Sequence, residues 1–583
     1  MAEKEAVSAV HRMPFGAEVL AGGGVRFRLW APAAKSVDVV LKKKIFSMKN
    51  LGDGWFEATH EEAGAGTLYR YRIDGRQLVP DPASRFQPRD VDGPSEVIDP
   101  AAFEWSDGDW QGRPWQEAVI YELHVGAFSF GGKYSGIVKK IPYLHDLGVT
   151  AIELMPLADF AGRRNWGYDG VLPYAPDSRY GRPEQLKALV QAAHRAGLMV
   201  LLDVVYNHFG PKGNYLHAYA PAFFTERHKT PWGAAIDFSN PLVRKFFLHN
   251  ALYWLEEYRL DGLRFDAVHA IKDDSELHVL DEIASGIHAR FGSAKHLVLE
   301  NDANQSRFIG PGRYSAQWND DSHHACHVLA SGESDGYYAA YAEAPARHLA
   351  RCLAEGYAYQ GEVSPFTHEP RGEPSSHLPA SAFVDFLQNH DQIGNRALGE
   401  RLICLSKEKN LRALTAILLL APSPPLLFMG EEWGCRQPFL FFCDFEGELG
   451  EAVREGRRGE FARFAAFRDP AFSDPNTRSR IPDPLAEATF AQCVLRWREQ
   501  DKSWLALYKE LLALRQRRIV PLGCGPGRYR MLGERAFEVS WDKLVLLANC
   551  GDAPVRIQDI PRGKPLWSNA PAGEPWSVDW WIT

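Results

Sequence analysis

Four short stretches of this 583-residue chain place ionisable residues where an apolar strand ends. They read Asp203-Val204-Val205-Tyr206-Asn207-His208, Asp261-Gly262-Leu263-Arg264-Phe265-Asp266-Ala267-Val268-His269, Leu297-Val298-Leu299-Glu300-Asn301-Asp302 and Phe386-Leu387-Gln388-Asn389-His390-Asp391. Residues two apart on a strand share a face, so Arg264 and Asp266 point away from Leu263 and Phe265. Buried charge is costly unless it is paired. A single stretch of this kind fits a structural ion pair as well as it fits a site. Four together, supplying Asp203, Asp266, Glu300 and Asp391 with His208, His390 and Arg264, point to chemistry.

Converging carboxylates without cysteines or clustered metal spacing suit glycoside chemistry. One carboxylate attacks or stabilises an oxocarbenium-like centre while a carboxylic acid protonates the departing oxygen. The attacking group must stay ionised, and Arg264 on the face of Asp266 can do that. Asp203, inside the apolar run from Met199 to Tyr206, needs a buried partner, and Arg264 is the candidate. Glu300 follows three aliphatic residues, a setting expected to favour the protonated acid.

The elements that must position these groups follow from the hydrophobic pattern. From about Trp115 onward, apolar strand-like runs alternate with amphipathic helical ones. Continuous runs such as Met199–Tyr206 belong to parallel strands covered on both faces. Repeated βα units over roughly 400 residues predict a (β/α)8 barrel with loop insertions, the sixth unit being the least distinct. Barrel enzymes carry their sites at the C-terminal strand ends, where the four stretches end. Before the barrel, short alternating strands such as Val25–Trp30 and Leu68–Ile73 with Asp-Gly turns predict a β-sandwich. After about Val520 the chain is strand-rich again. The expected fold is multidomain: an immunoglobulin-like, carbohydrate-binding-module-like sandwich over 1–110, the barrel over 111–520 and a C-terminal β-sandwich over 521–583.

Composition narrows the class. A formal net charge of −8 without a long basic run argues against nucleic-acid or membrane partners. The eight cysteines all lie at or beyond Cys326 with no CxxC pair, which fits a reduced, cytoplasmic protein. No leader-like or membrane-spanning apolar run is present in the sequence.

The four stretches resemble the four signature regions of the α-amylase family, glycoside hydrolase family 13. The resemblance implies that Asp266 is the nucleophile, Glu300 the general acid/base and Asp391 a third acid that holds sugar hydroxyls. It implies that Arg264, His208 and His390 surround the sugar in the cleaved subsite, and that Asp203 and Asn207 are supporting residues. Gly167-Tyr168-Asp169 resembles the segment whose Tyr stacks on that sugar, so Tyr168, Asp169 and His269 join the expected substrate-binding set. Retention of anomeric configuration follows.

The segments Pro231–Ile236, Leu299–Asp302 and Gln317–His324 resemble the members of this family that release trehalose by cutting the α-1,4 bond beside the trehalose end of maltooligosyl trehalose. The glycogen branching enzymes are the alternative within the family, and a non-catalytic glucan-binding protein is the alternative outside it. The expected partners are therefore maltooligosyl trehalose and α-1,4-glucans, with maltooligosyltrehalose synthase acting upstream. Trp232, Asp321 and His324 are expected to line the trehalose subsites on a polar loop. Asp320, Asp321, His323 and His324 are metal ligands by type, but no further ligand is spaced to complete a site, so no cofactor or metal is expected.

Overall fold

A computed structural model describes residues 9–230, 233–461 and 481–583. Eight strands close into a barrel in chain order. They are β1 (Ile120–Leu123), β2 (Ala151–Leu154), β3 (Met199–Val204), β4 (Gly262–Phe265), β5 (His296–Leu299), β6 (Ala316–Trp318), β7 (Phe383–Phe386) and β8 (Pro425–Phe428). The chain divides into two compact units, 1–112 with 124–141 and 153–300, and 113–123 with 142–152 and 301–583.

In the first unit, β3, β4 and β5 run parallel, with Asp203 opposite Arg264, Gly262 opposite His296 and Phe265 opposite Leu299. Gly262 is required by that packing, because an added Cβ would lie 2.3 Å from the His296 carbonyl oxygen. Helices α1 (Pro183–Arg195), α2 (Pro241–Glu257) and α3 (Val279–Phe291) follow strands of this unit. Proline near the start of α1 and α2 takes positions where its missing N–H costs nothing. The N-terminal region forms a four-stranded sheet ordered Gly16–Val19, Val25–Trp30, Trp55–His60, Lys49–Gly52, and a five-stranded sheet of Lys44–Ser47, Val37–Leu41, Leu68–Ile73 and Gln77–Val79 with Ser95–Glu96 also paired to Leu68–Ile73. Phe27, Val39, Tyr71 and Val25 are fully buried among these strands, as the period-two pattern requires. This sandwich joins α2 through Arg85, whose guanidinium donates to the Glu257 carboxylate at 3.2 Å with both side chains buried.

In the second unit, β8 pairs with both β1 and β7. No α-helix separates β5 from β6; the connection holds only a 3-10 turn at Ser306–Phe308. Strand β6 is three residues long and leads, through the Asn319 cap, into α4 (Asp320–Ser331) and then α5 (Pro345–Glu355). The segment from Gln317 to His324 is thus a barrel strand and the first turn of a helix, and the polar loop expected there is not formed. The Asn319 side chain accepts from the Ser322 N–H and caps the helix, and further along α4 His327 stacks on Tyr338 at 4.0 Å. Helix α6 (Glu408–Leu420) precedes β8, and α7 (Lys502–Leu514) follows it.

The C-terminal region is one five-stranded antiparallel sheet of Arg528–Met531, Ala536–Trp541, Leu544–Asn549, Ser577–Ile582 and Trp567–Ser568. The expected second sheet is not found among the described residues. Helices take its place: Trp541 donates to the Leu353 carbonyl of α5 at 3.2 Å, and Trp580 to the Ala416 carbonyl of α6 at 3.2 Å. All eight cysteines are free thiols. Among the described residues, no helix is long and apolar enough to cross a membrane.

Candidate active site

Arg264 is fully buried on β4, and its guanidinium meets three carboxylates. Nη1 donates to Asp203 Oδ2 at 2.5 Å and to Asp266 Oδ1 at 3.1 Å, while Nη2 lies 2.8 Å from Glu300 Oε2. The in-register pairing of β3 and β4 sets the first contact. The others follow because Asp266 and Glu300 stand one residue beyond the ends of β4 and β5. Burial pushes the Asp203 carboxyl up to about 7, opposed by Arg264 and reinforced by the nearby Asp266 charge. Asp203 Oδ2 also accepts from the Tyr168 hydroxyl at 2.6 Å.

Asp266 is fixed from a second side. Asn207 Nδ2 donates to Asp266 Oδ2 and to the Asp266 carbonyl, both at 2.9 Å. Next in the chain, Ala267 adopts φ 40° and ψ 49°, a left-handed conformation costly for a residue with a Cβ. That conformation accompanies an Ala267 N–H aimed at Glu300 Oε2, 2.8 Å away. Glu300 therefore faces an N–H and a guanidinium, not the apolar surroundings expected from Leu297–Leu299. The strand's aliphatic residues are fully buried, but Glu300 itself lies beyond them and is half-buried.

His208 and the 165–169 segment complete this group. The His208 Nε2–H donates to the Tyr168 carbonyl at 3.0 Å, and burial pushes the ring down to about 4, so it is neutral near pH 7. Asn165 Nδ2 donates to Asp169 Oδ2 at 2.6 Å, while burial raises the Asp169 carboxyl above its ordinary value. Gly167 makes the turn possible: its φ is 107°, and an added Cβ would sit 2.2 Å from the Pro156 carbonyl oxygen. His269 lies exposed on the turn after Asp266.

The second unit positions His390 and Asp391 at the start of the short helix His390–Gly394 after β7. Asn389 caps that helix, accepting from the Asp391 N–H at 2.9 Å, and Asn395 Nδ2 reaches Asp391 Oδ1 at 3.2 Å. His390 Nδ1 contacts Glu122 on β1, and the His390 N–H donates to the same carboxylate at 3.2 Å. Sequence reasoning missed Glu122. Its signal was the one that exposed Asp203: a lone acid inside an apolar strand, Val119–Leu123.

Three expected substrate contacts fare differently. Asp321 is fully buried on α4 and saturated by protein donors. It accepts from Arg371 Nη1 at 2.5 Å, the Tyr341 hydroxyl at 2.6 Å, Asn304 Nδ2 at 3.1 Å and the Ala358 N–H at 2.8 Å. No face of it remains for a ligand, so it braces the separate segments that carry Asn304, Tyr341 and Arg371. Trp318 is likewise buried, on β6. His324 is half-buried against Tyr337 and Tyr341, with ring centroids at 4.9 and 5.0 Å. Trp232 lies outside the described residues. Among the described residues, no group of three or more His, Cys, Asp or Glu is arranged to hold a metal ion.

Residues 97–232 match the alpha amylase catalytic-domain model, and residues 14–102 match carbohydrate-binding module 48, the isoamylase N-terminal domain. A malto-oligosyltrehalose trehalohydrolase of Deinococcus radiodurans is 45% identical over 87% of this chain and 83% of its own. Its counterpart in Saccharolobus solfataricus is 41% identical over 85% of each. A Salmonella typhimurium crystal structure described as an alpha amylase superposes with a TM-score of 0.92 at 46% identity, covering 98% of this chain and 99% of that one. A 1,4-alpha-glucan branching enzyme of Thiobacillus denitrificans is more distant, 31% identical over 70% of this chain. The chain belongs to the malto-oligosyltrehalose trehalohydrolase family of α-amylase-type glycoside hydrolases.

Proposed function

We propose that this enzyme hydrolyses the α-1,4-glucosidic bond beside the trehalose end of maltooligosyl trehalose, with Asp266 as nucleophile and Glu300 as general acid/base. The observation that carries the residue roles is the single guanidinium shared by Asp266 and Glu300. Two carboxyls gathered on one cation suit the retaining route, which needs them roughly 5–5.5 Å apart, and leave little room for the intervening water of inversion. Asn207 holds Asp266 by one oxygen and Arg264 by the other, so the nucleophile is oriented before substrate arrives.

Glu300 protonates the departing oxygen and later takes a proton from water, as the covalent route requires. Arg264 compensates the negative charge of the cluster throughout. Asp391, anchored by Asn389 and Asn395 beyond β7, holds sugar hydroxyls as the ring flattens. Tyr168 supplies a ring fixed through its hydroxyl to Asp203. His208, neutral near pH 7, and His390, set by Glu122, supply hydrogen bonds to the same sugar. His269, Asp169 and His324 complete the substrate-facing set. Trehalose leaves, and a maltooligosaccharide follows from hydrolysis of the glycosyl-enzyme. The enzyme acts in the cytoplasm on chains whose trehalosyl end a maltooligosyltrehalose synthase has built.

The test is incubation with maltooligosyl trehalose and, separately, with the matching maltooligosaccharide. Trehalose as the main product from the first, with slow turnover of the second, is expected. New α-1,6 branches on amylose would make the enzyme a transglycosylase. Asp266→Ala is expected to lower kcat by several orders of magnitude while the fold persists. Near wild-type turnover would remove Asp266 from the nucleophile role.

A further inference from the structure

Glu122 stands inside the apolar strand β1 and is almost fully buried. A buried acid needs donors, and both of its oxygens find them on one residue. His390 gives its backbone N–H to one carboxylate oxygen at 3.2 Å and its ring Nδ1 to the other. One carboxylate thus holds the backbone and the ring of the same residue, and the ring cannot turn without losing a contact. The His390 side chain is itself buried, with the Trp318 ring of β6 packed beside it at 6.2 Å.

At the far edge of the ring, Nε2 lies 3.6 Å from Asp391 Oδ1. A neutral imidazole with its proton on Nδ1 would point a lone pair at that oxygen and set two acceptors against each other. A second proton, on Nε2, turns the contact into attraction. Glu122 faces the ring from β1 and Asp391 from the start of its own helix, so an imidazolium is compensated on both sides, while Trp318 brings no charge. An acid behind a histidine fixes which nitrogen carries the proton and stabilises the charged ring. The three groups together stay net negative, so they do not oppose the positive charge that builds on the sugar ring during cleavage.

We propose that Glu122 is a positioning residue, which fixes the His390 ring and keeps it doubly protonated, so that Nε2–H is offered to a hydroxyl of the sugar beside Asp391. This role rests on those given above to His390 and Asp391; new are the charge of the donor and the residue that sets it. A hydrogen bond from an ionised donor is shorter and roughly twice as strong as one from a neutral donor. Glu122→Gln keeps the shape and one acceptor oxygen but removes the charge. The ring then gives up its second proton as pH rises past about 6.5, the ordinary imidazole value.

The test measures kcat/KM for maltooligosyl trehalose between pH 5.5 and 8 in the wild type, Glu122→Gln, His390→Gln and the double variant, with urea unfolding to confirm that each folds. Across that range Glu122→Gln should fall about 30-fold relative to the wild type, the loss expected as an ordinary imidazole gives up its proton. In the His390→Gln background, Glu122→Gln should change the rate less than about twofold, because it acts only through the ring. A Glu122→Gln profile parallel to the wild type, with His390→Gln strongly impaired, would overturn the proposal and leave the role of His390 standing. Near wild-type rates in His390→Gln would overturn both. Histidine 15N NMR of the wild type needs no substitution of Glu122. The ring signals that disappear in His390→Gln should report both nitrogens protonated at pH 7.5, and an unprotonated nitrogen there would overturn the proposal.

Discussion

Removing the Arg264 guanidinium would leave Asp203, Asp266 and Glu300 facing one another without a cation. Breaking a buried ion pair by deleting one partner costs about 3–5 kcal/mol, because the remaining charge stays buried. Arg264→Met is therefore expected to destabilise the protein by about that amount and to lower kcat at least ~100-fold. Arg264→Lys keeps the charge but replaces a planar fork with a point donor. It should recover part of the stability and little of the rate, since one ammonium cannot reproduce the separate Nη1 and Nη2 contacts. Urea unfolding beside steady-state kinetics reads both quantities; an Arg264→Met variant with unchanged unfolding midpoint would contradict the central role of this residue. The Arg264–Asp203 pair was legible in the sequence, because an acid inside an apolar run must have a partner and parallel register puts Arg264 opposite it. The Glu300 contact was not. It depends on how far the chain runs past β5 and on the turn at Ala267, neither of which the alternation of polar and apolar residues encodes.

That turn is the element on which the cluster's geometry hinges. Ala267 holds a left-handed conformation between Asp266 and the 3-10 turn Val268–Ala270, and its N–H serves Glu300. A β-branched residue fits that region poorly, so Ala267→Val should cost roughly 1–3 kcal/mol. It should also lower kcat by tenfold or more as Asp266 and Glu300 separate. Ala267→Gly, free of the strain, should hold stability within about 1 kcal/mol and activity within a few-fold. Thermal unfolding and kcat measured on the pair decide it: a tolerated valine would mean that the turn does not set the site. Elsewhere, the sequence placed strands well and misjudged what connects them. Seven barrel strands announce themselves as apolar runs or polar strand ends. The sixth, Ala316–Trp318, is three residues long and is followed by Asn319-Asp320-Asp321-Ser322, which reads as a loop. Those polar residues are a helix cap and a buried acid, and only the arrival of Arg371, Tyr341 and Asn304 from distant segments makes Asp321 affordable inside. The C-terminal sheet was misread for a similar reason. Alternation shows that Trp541 and Trp580 face inward, but not whether a sheet or the helices α5 and α6 receive them.

Across the whole molecule, several buried acids carry raised pKa values, and they give stability a distinctive pH dependence. Glu431 and Glu432, just past β8, are both pushed up to about 7, chiefly by burial. Glu431 is faced by the Tyr508 hydroxyl at 2.9 Å and Gln388 Nε2 at 3.2 Å, and Glu432 by the hydroxyls of Tyr121 and Tyr143 at 3.1 and 3.0 Å. Between the ordinary carboxyl value of about 4.3 and about 7, the folded state keeps protons that the unfolded chain has released. Unfolding free energy from these groups therefore falls as pH rises through that window, and is flat below and above it. A shift of this size corresponds to about 3 kcal/mol per group at one unit per 1.36 kcal/mol. Buried histidines act the other way. His208 at about 4 and His323 at about 3 stay neutral in the fold, so their contribution rises as pH climbs toward about 6.5. The two trends overlap, and the net profile of the wild type will be blunted. The difference between wild type and Glu431→Gln isolates the acid. A glutamine cannot ionise, so the cost of this substitution should be largest near pH 5, where Glu431 is already neutral in the fold. It should shrink by up to about 3 kcal/mol by pH 8, where the wild type must hold a buried charge. Chemical denaturation of both proteins at half-unit pH steps measures this directly. Unfolding profiles that stay parallel from pH 5 to 8 would show that Glu431 is ionised throughout and that its hydroxyl and amide neighbours suffice to hold the charge.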